Sequence, residues 1–427
     1  MENFRIESLE INKIGAFEHL KMDFPKKTDP EKAEIHILTG ENGTGKSTIL
    51  EALAEIGKYK IDNSEQNILL NKLIDNKSLI NIKTHPEKHS TSFSFEDILQ
   101  INISKYLIGK DIQTRIDNRF GVSFALFAYS GYRRVNSSKM ISIDKVNSLF
   151  PDALHGALSF ENSINTDKLT QWIGSAIAQE ALSIVKGDFE QASRYRNNIK
   201  LIEEIIEEIT NEQVRFDLNV NTMHLNIIFH GQRMVLTTLP DGLKSLISWI
   251  GDLVMRMSKI GWAFDVPIFD RNFILFLDEI EVHLHPAWQR KILPVVQKLF
   301  KNAQIFISTH SPFVVGSVDG AWVHKLKKEG AYAVLDGEPV LSEDAESYDT
   351  ILEEIFGIKE RFGNEIESKL DRFRKITKEI LKGNEENLEE WNAIITFFQN
   401  QNRPDEIMAV IAPQVHQINR IRKQVIA

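Results

Sequence analysis

The sequence predicts an α/β protein with a mixed β-sheet, and three of its features indicate that class. First, four short apolar runs are typical of strands buried in a parallel sheet: 35–38, 124–128, 273–277 and 305–307. Second, amphipathic helical patterns accompany them, at 243–257 and in the helix that Pro286 opens. Third, the first apolar run leads into a glycine-rich turn and another helical pattern, which is the context of a phosphate-binding loop.

Composition excludes several other classes. The chain has 427 residues, 42% of them hydrophobic, enough for two or three lobes or one large elaborated domain. It has no cysteine, so disulfides, thiolate zinc sites and thiol catalysis are excluded. A formal net charge of −9 argues against a surface that coats nucleic acid. The polar start and the lack of a long apolar run predict a soluble, cytoplasmic protein with no membrane segment.

The patterns along the chain predict a head domain followed by a helical tail. We expect residues 1–60 and 120–345 to form the head. A polar insertion at 61–119 and a helical insertion at about 165–212 interrupt it. The second insertion is too short for a long coiled-coil arm, so we expect a short helical bundle. Residues 346–427 form the predicted C-terminal helical domain.

Within the head, the alternation of apolar and polar residues predicts strands outside the parallel set. Residues 4–11 and 17–24 are expected to form an antiparallel pair at the start of the chain. Residues 224–237 and 321–341 are predicted to form hairpins.

The segment 40–48 matches the pattern G-x-x-x-x-G-K-[ST] of phosphate-binding loops. Its glycines let main-chain N–H groups face a polyphosphate, and the following helix points its positive end at the same anion. Lys46 is expected to reach the β- and γ-phosphates, and Ser47 to help hold Mg²⁺. We therefore predict that the chain binds a nucleoside triphosphate together with Mg²⁺. The predicted nucleotide contacts are Asn42, Gly43, Thr44, Gly45, Lys46, Ser47 and Thr48.

Two acidic residues follow the apolar run 273–277 directly. A buried parallel strand delivers its terminal carboxylates to the same sheet edge as the glycine loop. We predict that Asp278 holds Mg²⁺ and that Glu279 is the general base for the attacking water. The alternative is that both acids merely begin a solvated loop.

A histidine follows the next apolar run, in the segment 308–312. His310 at the carboxyl end of a parallel strand faces the ligand crevice and can donate a hydrogen bond to a γ-phosphate oxygen. The alternative is a capping or packing histidine. The predicted catalytic residues are thus Glu279, His310 and Lys46.

The order of these motifs resembles that of the ABC-type ATPases, which include the Rad50, SMC and RecF heads. The chain is more closely similar to compact bacterial ATPases of anti-phage defence. These are the ATPase subunits of the Septu, PARIS and retron-associated systems and the nucleotide domain of OLD-family nucleases. The resemblance covers roughly residues 1–60 and 120–357, and implies an ABC-type head. The segments that carry it are 40–48, 239–245, 273–286, 308–312 and 348–357.

The resemblance implies a signature segment that contacts the γ-phosphate of a nucleotide bound to another subunit. The matching stretch is 239–245, at the start of the helix 243–257. Its predicted contacts are Pro240, Asp241, Gly242 and Lys244. Proline stands where the family usually has serine and offers neither hydroxyl nor N–H, so we expect slow hydrolysis. An ordinary helix start is the alternative.

Other positions give weaker predictions. The loop 129–134 takes the place of a family segment that usually carries glutamine, and we assign no ligand in it. A surface ion pair is the favoured role for Arg133 or Arg134, and contact with a phosphate or a partner is the alternative. Lys13 resembles a basic residue that related heads use near the ribose or α-phosphate. A metal site at Glu281, His283 and His285 is less favoured than a subunit-contacting loop.

The resemblance supports one main function and two alternatives. The main hypothesis is a defence ATPase that self-associates across ATP and restrains a separate effector nuclease. The first alternative is a RecF-like repair or loading ATPase that DNA activates, although a nucleic-acid groove is the minority interpretation of the basic helix faces. The second is an assembly scaffold with negligible turnover.

Overall fold

A computed structural model describes most of the chain: residues 3–57, 72, 74, 77–87, 91–94, 123–131, 153, 154, 156–158, 160, 164, 166–262, 266–343, 347–384 and 386–425. The chain divides into two compact units, Met1–Phe356 and Gly357–Ala427. The predicted tail begins earlier, at residue 346. The short helical turn at 348–355 belongs to the first unit because Ile351 packs in its core.

The strands are β1 (Arg5–Ile14), β2 (Phe17–Asp23), β3 (Glu34–Gly40), β4 (Leu79–His85), β5 (Thr91–Ser94), β6 (Ala125–Tyr129), β7 (Val214–Asn219), β8 (His224–Phe229), β9 (Gln232–Met234), β10 (Phe273–Leu277), β11 (Ala303–Ser308), β12 (Trp322–Glu329), β13 (Tyr332–Leu335) and β14 (Val340–Leu341). The α-helices are α1 (Lys46–Ala54), α2 (Thr166–Val185), α3 (Phe189–Thr210), α4 (Asp241–Lys259), α5 (Pro286–Leu299), α6 (Pro312–Val315), α7 (Tyr348–Thr350), α8 (Asn364–Leu381), α9 (Leu388–Gln399) and α10 (Pro404–Val425). A π-helical turn, Ile351–Ile355, continues α7.

The central sheet is mixed and has the strand order β13-β12-β3-β11-β10-β6, with β14 also paired to β12. From β12 to β6 every pairing is parallel. All five residues of β10 are buried, because α-helices cover one face and α1 with the N-terminal sheet covers the other. The α/β class with a mixed sheet is therefore confirmed.

A second, antiparallel sheet has the order β2-β1-β4-β5. The pairing of β1 with β2 follows the predicted N-terminal strands. Strand β4 lies inside the region 61–119, where we expected only a polar insertion. Its buried Ile80, Ile82 and Thr84 alternate with more exposed neighbours, so a period of two was present in the sequence.

Strand β12 also differs from the prediction. We expected 321–341 to be a separate antiparallel hairpin. Strand β13 does pair antiparallel with β12, but β12 itself joins the central sheet in parallel with β3. The buried Val323 and Leu326 pack on opposite faces of that sheet, which explains the pairing.

The helical insertion consists of α2 and α3, separated by a turn at 186–188. Its apolar residues, including Trp172 and Ile202, join one core with α4, α5 and the sheet. The three-stranded sheet β7-β8-β9 packs in the same core, and its first strand was not predicted. The insertion is therefore a short bundle packed on the head.

The second unit consists of α8, α9 and α10 around its own core, in which Phe373 stacks on Trp391. Its two apolar stripes were predicted on α8 and α9. Among the residues that the structure describes, no helix is long and apolar enough to cross a membrane.

A buried polar network joins the two sheets at the end of β3 that lies away from the glycine loop. Gln304 of β11 exchanges two hydrogen bonds with the main chain of Ile6 in β1, at 2.7 and 2.8 Å. Gln304 also donates to a carboxylate oxygen of Glu34 at 2.6 Å. Both carboxylate oxygens of Glu34 accept hydrogen bonds from Arg5.

Two histidines complete the network. His36 Nε2 lies 3.0 Å from Glu34 Oε1 and His36 Nδ1 lies 3.2 Å from His324 Nε2. Because the carboxylate requires a proton on His36 Nε2, the neutral ring accepts at Nδ1 and His324 donates. Burial raises the pKa of Glu34, but the hydrogen bonds from His36 and Arg5 outweigh burial and lower it to about 2. Burial lowers the pKa of both histidines.

We expect this network to make the protein sensitive to acid. Because the pKa of His36 is lower in the folded chain, the unfolded chain binds more protons at this residue as the pH falls below the ordinary histidine pKa. The same holds for Glu34 between the ordinary glutamate pKa and its folded value of about 2. Stability is therefore lost as the pH falls, and Glu34 alone accounts for about 3 kcal/mol. Urea unfolding at a series of pH values measures this. Below pH ~4.5, the free energy of unfolding should fall less steeply with falling pH in Glu34→Gln than in the parent, while the exposed Glu338→Gln should behave as the parent does. Equal slopes in both variants would contradict the low pKa of Glu34.

Candidate functional site

The glycine loop stands where β3 ends and α1 begins. Gly43 and Gly45 have φ values of +79° and +84°, a region that residues with a Cβ rarely adopt. The ring of Phe17 lies 2.6 Å from where a Cβ on Gly45 would stand. The loop therefore leads without strain into the N-terminal end of α1, where free N–H groups and the helix dipole favour an anion.

Lys46 is the first residue of α1 and is only 7% exposed. Its Nζ donates to the carbonyl oxygens of Gly40 and Glu41, both at 3.0 Å. Burial lowers the pKa of Lys46, while three carboxylates in the loop after β10 raise it by favouring the charged amine. The ammonium group is thus held inside the loop next to a group of acids.

Four segments distant in sequence meet at Asp278, two of them at its carboxylate and one at its main-chain N–H. The hydroxyl of Ser47 donates to Asp278 Oδ1 at 3.0 Å, and the hydroxyl of Ser308 donates to the same oxygen. The main-chain N–H of Asp278 donates to the carbonyl of Tyr129 at 2.9 Å. The parallel register explains the meeting, because β6, β10 and β11 end side by side next to α1.

Glu279 follows Asp278 and is exposed. Its φ is +46°, a left-handed conformation that is uncommon for a residue with a side chain. Its N–H donates to the hydroxyl of Ser308 at 2.9 Å, so Ser308 holds both acids at once. A strained, anchored main chain of this kind is typical of functional sites. Ser308 was part of a predicted motif, but its role was not foreseen.

His310 is half-buried and lies close enough to Lys46 for that charge to act on it. Burial lowers the pKa of His310, and Lys46 lowers it further, so the ring is neutral at pH 7 and carries one N–H donor. Its main-chain N–H donates to Glu281 Oε1 at 2.6 Å. Burial raises the pKa of Glu281, whose other oxygen is buried without a hydrogen-bond partner among the described residues. Sequence reasoning missed this link between the two loops.

The segment 239–245 begins α4 with Pro240 as the N-cap, without a side-chain cap bond. Lys244 Nζ lies 2.7 Å from Asp241 Oδ1 and donates to the carbonyl of Thr237 at 3.3 Å. The hydrogen bond from Lys244 and the charge of its ammonium group lower the pKa of Asp241. A Cβ on Gly242 would stand 2.7 Å from the carbonyl oxygen of His283. The segment therefore packs on the loop after β10 of its own chain, and Lys244 is engaged within that chain.

The remaining loop residues differ in where their side chains lie. Asn42 is exposed. The hydroxyl of Thr44 donates to the carbonyl of Glu41 at 2.9 Å, and the buried hydroxyl of Thr48 accepts from Lys72 at 3.3 Å. The side chains of both threonines are thus used inside the protein, and the main-chain N–H of Thr44 also donates to the carbonyl of Glu41, at 3.4 Å.

The weaker predictions have different outcomes. His285 caps α5, because its Nδ1 accepts from the N–H of Ala287 at 3.2 Å, and His283 is exposed with a φ of +66°. No group of three or more histidine, aspartate or glutamate side chains is arranged to hold a metal ion in the described part of the chain. Lys13 lies near the end of β1 with a φ of +52°, and its carbonyl accepts from the hydroxyl of Ser78 at 2.6 Å. Arg133 and Arg134 lie outside the described residues.

The residues present fit a nucleotide with a divalent cation. Ser47 Oγ and Asp278 Oδ1 are hard oxygen ligands 3.0 Å apart, the kind that Mg²⁺ prefers. Left-handed glycines, a helix N-terminus and a buried ammonium group suit a polyphosphate. A strand, glycine loop and helix with an acidic strand end beside them define the class of P-loop proteins.

Comparison with protein families gives a narrower assignment. The family described as "AAA domain, putative AbiEii toxin, Type IV TA system" matches residues 35–316, which include the loop, Asp278, Glu279 and His310. The chain belongs to this family. The match includes the parallel strands β6, β10 and β11 and almost all of β3, and leaves β12 and the whole of the second unit outside it.

Curated relatives include a retron protein and a Septu protein. The chain is 24% identical over 379 residues to "Retron Vc95 probable ATPase" from Vibrio cholerae serotype O1 biovar El Tor, covering 73% of this chain and 72% of that protein. It is 26% identical over 332 residues to "Septu protein PtuA" from Bacillus mycoides (strain KBAB4), covering 76% of this chain and 41% of that protein. These similarities confirm the predicted resemblance to retron and Septu proteins.

Solved structures include the SMC head bound to the C-winged helix domain of ScpA. That match has a TM-score of 0.44 at 13% identity, covering 83% of this chain and 99% of the other. The SMC head domain from Thermotoga maritima matches with a TM-score of 0.38, also at 13% identity, over 79% of this chain and 99% of the other.

Proposed function

We propose that this chain is an ATP-binding and slowly hydrolysing subunit of an anti-phage defence complex. The observation that carries the proposal is the meeting of Ser47, Asp278 and Ser308 beside the glycine loop. Membership of the AAA family and similarity to a protein named "Retron Vc95 probable ATPase" support ATP as the nucleotide. Similarity to "Septu protein PtuA" supports a role in defence.

Each site residue has a role in this proposal. The N–H groups of the loop and the ammonium of Lys46 bind the β- and γ-phosphates. Ser47 and Asp278 hold Mg²⁺, which neutralises phosphate charge when it is bound. Glu279 accepts a proton from the attacking water. His310, neutral because of its burial, donates a hydrogen bond to a γ-phosphate oxygen.

The proposal extends to self-association across ATP. Segment 239–245 of one subunit contacts the nucleotide held by the glycine loop of another. Pro240 supplies no hydroxyl, and the ammonium group of Lys244 already has a carboxylate and a carbonyl oxygen as partners in its own chain. Both features favour slow turnover, so ATP holds the assembly together for long periods. Assembly in turn controls a separate effector nuclease.

Measurement of mass and nuclease activity tests this proposal. Light scattering of the purified chain should show a larger species with ATP and Mg²⁺ than without nucleotide. A gentle pull-down followed by mass spectrometry should recover a nuclease whose activity differs between the free and bound forms, and whose restraint depends on ATP. If the mass is the same with and without ATP, and the recovered proteins show no nuclease activity that this chain alters, the proposal fails.

A second candidate is a nucleotide-dependent scaffold with negligible turnover. The ion pair between Asp241 and Lys244 favours it, because the segment that would complete the site is already satisfied within its own chain. The two candidates differ in product formation. ATP-dependent assembly that persists while no ADP accumulates would favour the scaffold.

A further inference from the structure

Gly131 lies two residues after β6 and is buried against the loop that carries the two acids. A Cβ on Gly131 would stand 2.7 Å from the Cβ of Glu279 and 3.1 Å from its Oε2. It would also stand 3.2 Å from the carbonyl oxygen of Asp278. The first distance is shorter than real Cβ contacts, so a side chain at 131 requires Glu279 to move.

The main chain around Glu279 has little freedom to move away. The N–H of Asp278 is bonded to the carbonyl of Tyr129, and the N–H of Glu279 is bonded to Ser308, both at 2.9 Å. The φ of Glu279 is already +46°. Rotation of the Glu279 side chain relieves only the contact with Oε2, because the position of its Cβ is fixed by the main chain. A methyl group at 131 therefore forces the two loops apart against these hydrogen bonds, and the carboxylate of Glu279 shifts with them.

We propose that Gly131 is a positioning residue for hydrolysis, because its missing side chain leaves the space in which the Glu279 carboxylate stands. The proposal rests on the proposed function, in which Glu279 is the general base. Gly131 itself touches no substrate and acts through Glu279. A catalytic group displaced by about 1 Å can lose about 100-fold in rate.

The kinetic test uses Gly131→Ala in the full chain. We expect kcat for ATP hydrolysis to fall about 100-fold, while the Kd for ATP changes by less than about 2-fold. Gly261→Ala is the matched control, since a Cβ there meets nothing within 4 Å. The control should match the parent in both constants. Parent-like kcat in Gly131→Ala would overturn the proposal.

Thermal unfolding without ATP tests the contact between position 131 and the Cβ of Glu279. Gly131→Ala should lower the Tm by about 1–4 °C through overpacking. Glu279→Gly removes the opposing Cβ and suits the left-handed φ, so the same substitution in that background should cost much less. An equal Tm loss in both backgrounds would overturn the contact that we propose.

The two tests separate this inference from the proposed function. The positioning role is supported if Gly131→Ala lowers the Tm more in the parent than in the Glu279→Gly background and also lowers kcat for ATP hydrolysis. A parent that turns over ATP at a rate unaffected by Glu279→Gln contradicts Glu279 as the base, and the positioning role fails with it even if the Tm losses are unequal. If ATP hydrolysis depends on Glu279 but Gly131→Ala lowers the Tm equally in both backgrounds, only the role of Gly131 is overturned.

Discussion

Replacing Lys46 with alanine is expected to weaken the binding of ATP by about 10- to 100-fold. The ammonium group lies in the loop at 3.0 Å from two carbonyl oxygens, at the start of α1. A charge-assisted hydrogen bond of this kind contributes about 1.5–3 kcal/mol, which corresponds to that loss in affinity. The rest of the loop remains, so some binding through main-chain N–H groups should survive.

Equilibrium titration with ATP and Mg²⁺ measures the effect. Lys46→Met retains most of the aliphatic stem and removes the charge, so it should behave like the alanine variant if the charge is what matters. Lys186→Ala, at an exposed position in the turn between α2 and α3, is the control and should bind as the parent does. Unchanged affinity in both Lys46 variants would remove the basis for a nucleotide site here.

The sequence predicted the parts of the fold that are buried on both sides. Strand β10 is apolar at all five positions because both of its faces lie in cores, and that pattern is unambiguous. Strand β12 was harder, since Lys325, Lys327 and Lys328 gave it the pattern of an edge hairpin. Its parallel partner β3 lies far away in the sequence. Periodicity reports which faces are buried, and does not report which strand is the neighbour.

The candidate site divides in the same way. Lys46, Ser47 and Asp278 belong to local motifs whose spacing is set by a strand, a turn and a helix, and the structure brings all three together. Ser308, Gly131 and Glu281 act through contacts between loops that are distant in the sequence. No sequence motif with a fixed spacing identifies the hydroxyl of Ser308, the missing side chain of Gly131 or the carboxylate of Glu281 as part of the site. Their roles depend on the parallel register, which only the folded sheet provides.

The segment 239–245 shows a different limit. Its predicted contact lies on another subunit, so the residues of one chain cannot specify it alone. Within the chain, Lys244 pairs with Asp241, and Gly242 packs on the carbonyl of His283. A contact across subunits therefore competes with contacts that already exist. That competition is a physical reason to expect assembly to depend on ATP, because a polyphosphate attracts the ammonium group of Lys244 more strongly than one exposed carboxylate does.

Replacing Glu279 with glutamine is expected to lower kcat for ATP hydrolysis by about 100- to 10,000-fold, the range for loss of a general base. Glutamine has nearly the same shape, so it fits beside Gly131 and keeps the N–H bond to Ser308. Affinity for ATP should stay within about 2-fold of the parent, because only the proton acceptor is lost. The ATP-bound assembly should then persist instead of decaying. Single-turnover kinetics and light scattering measure the two effects.

Glu281 supplies the decisive comparison for this prediction. It is the other acid of the same loop, but one of its oxygens is bonded to the N–H of His310 at 2.6 Å, and burial raises its pKa. We therefore expect Glu281→Gln to disturb the position of His310 and to slow hydrolysis less than Glu279→Gln. The exposed Glu338→Gln should have no effect. If Glu281→Gln abolishes turnover while Glu279→Gln does not, the base is the buried acid, and the strained φ of Glu279 requires another explanation.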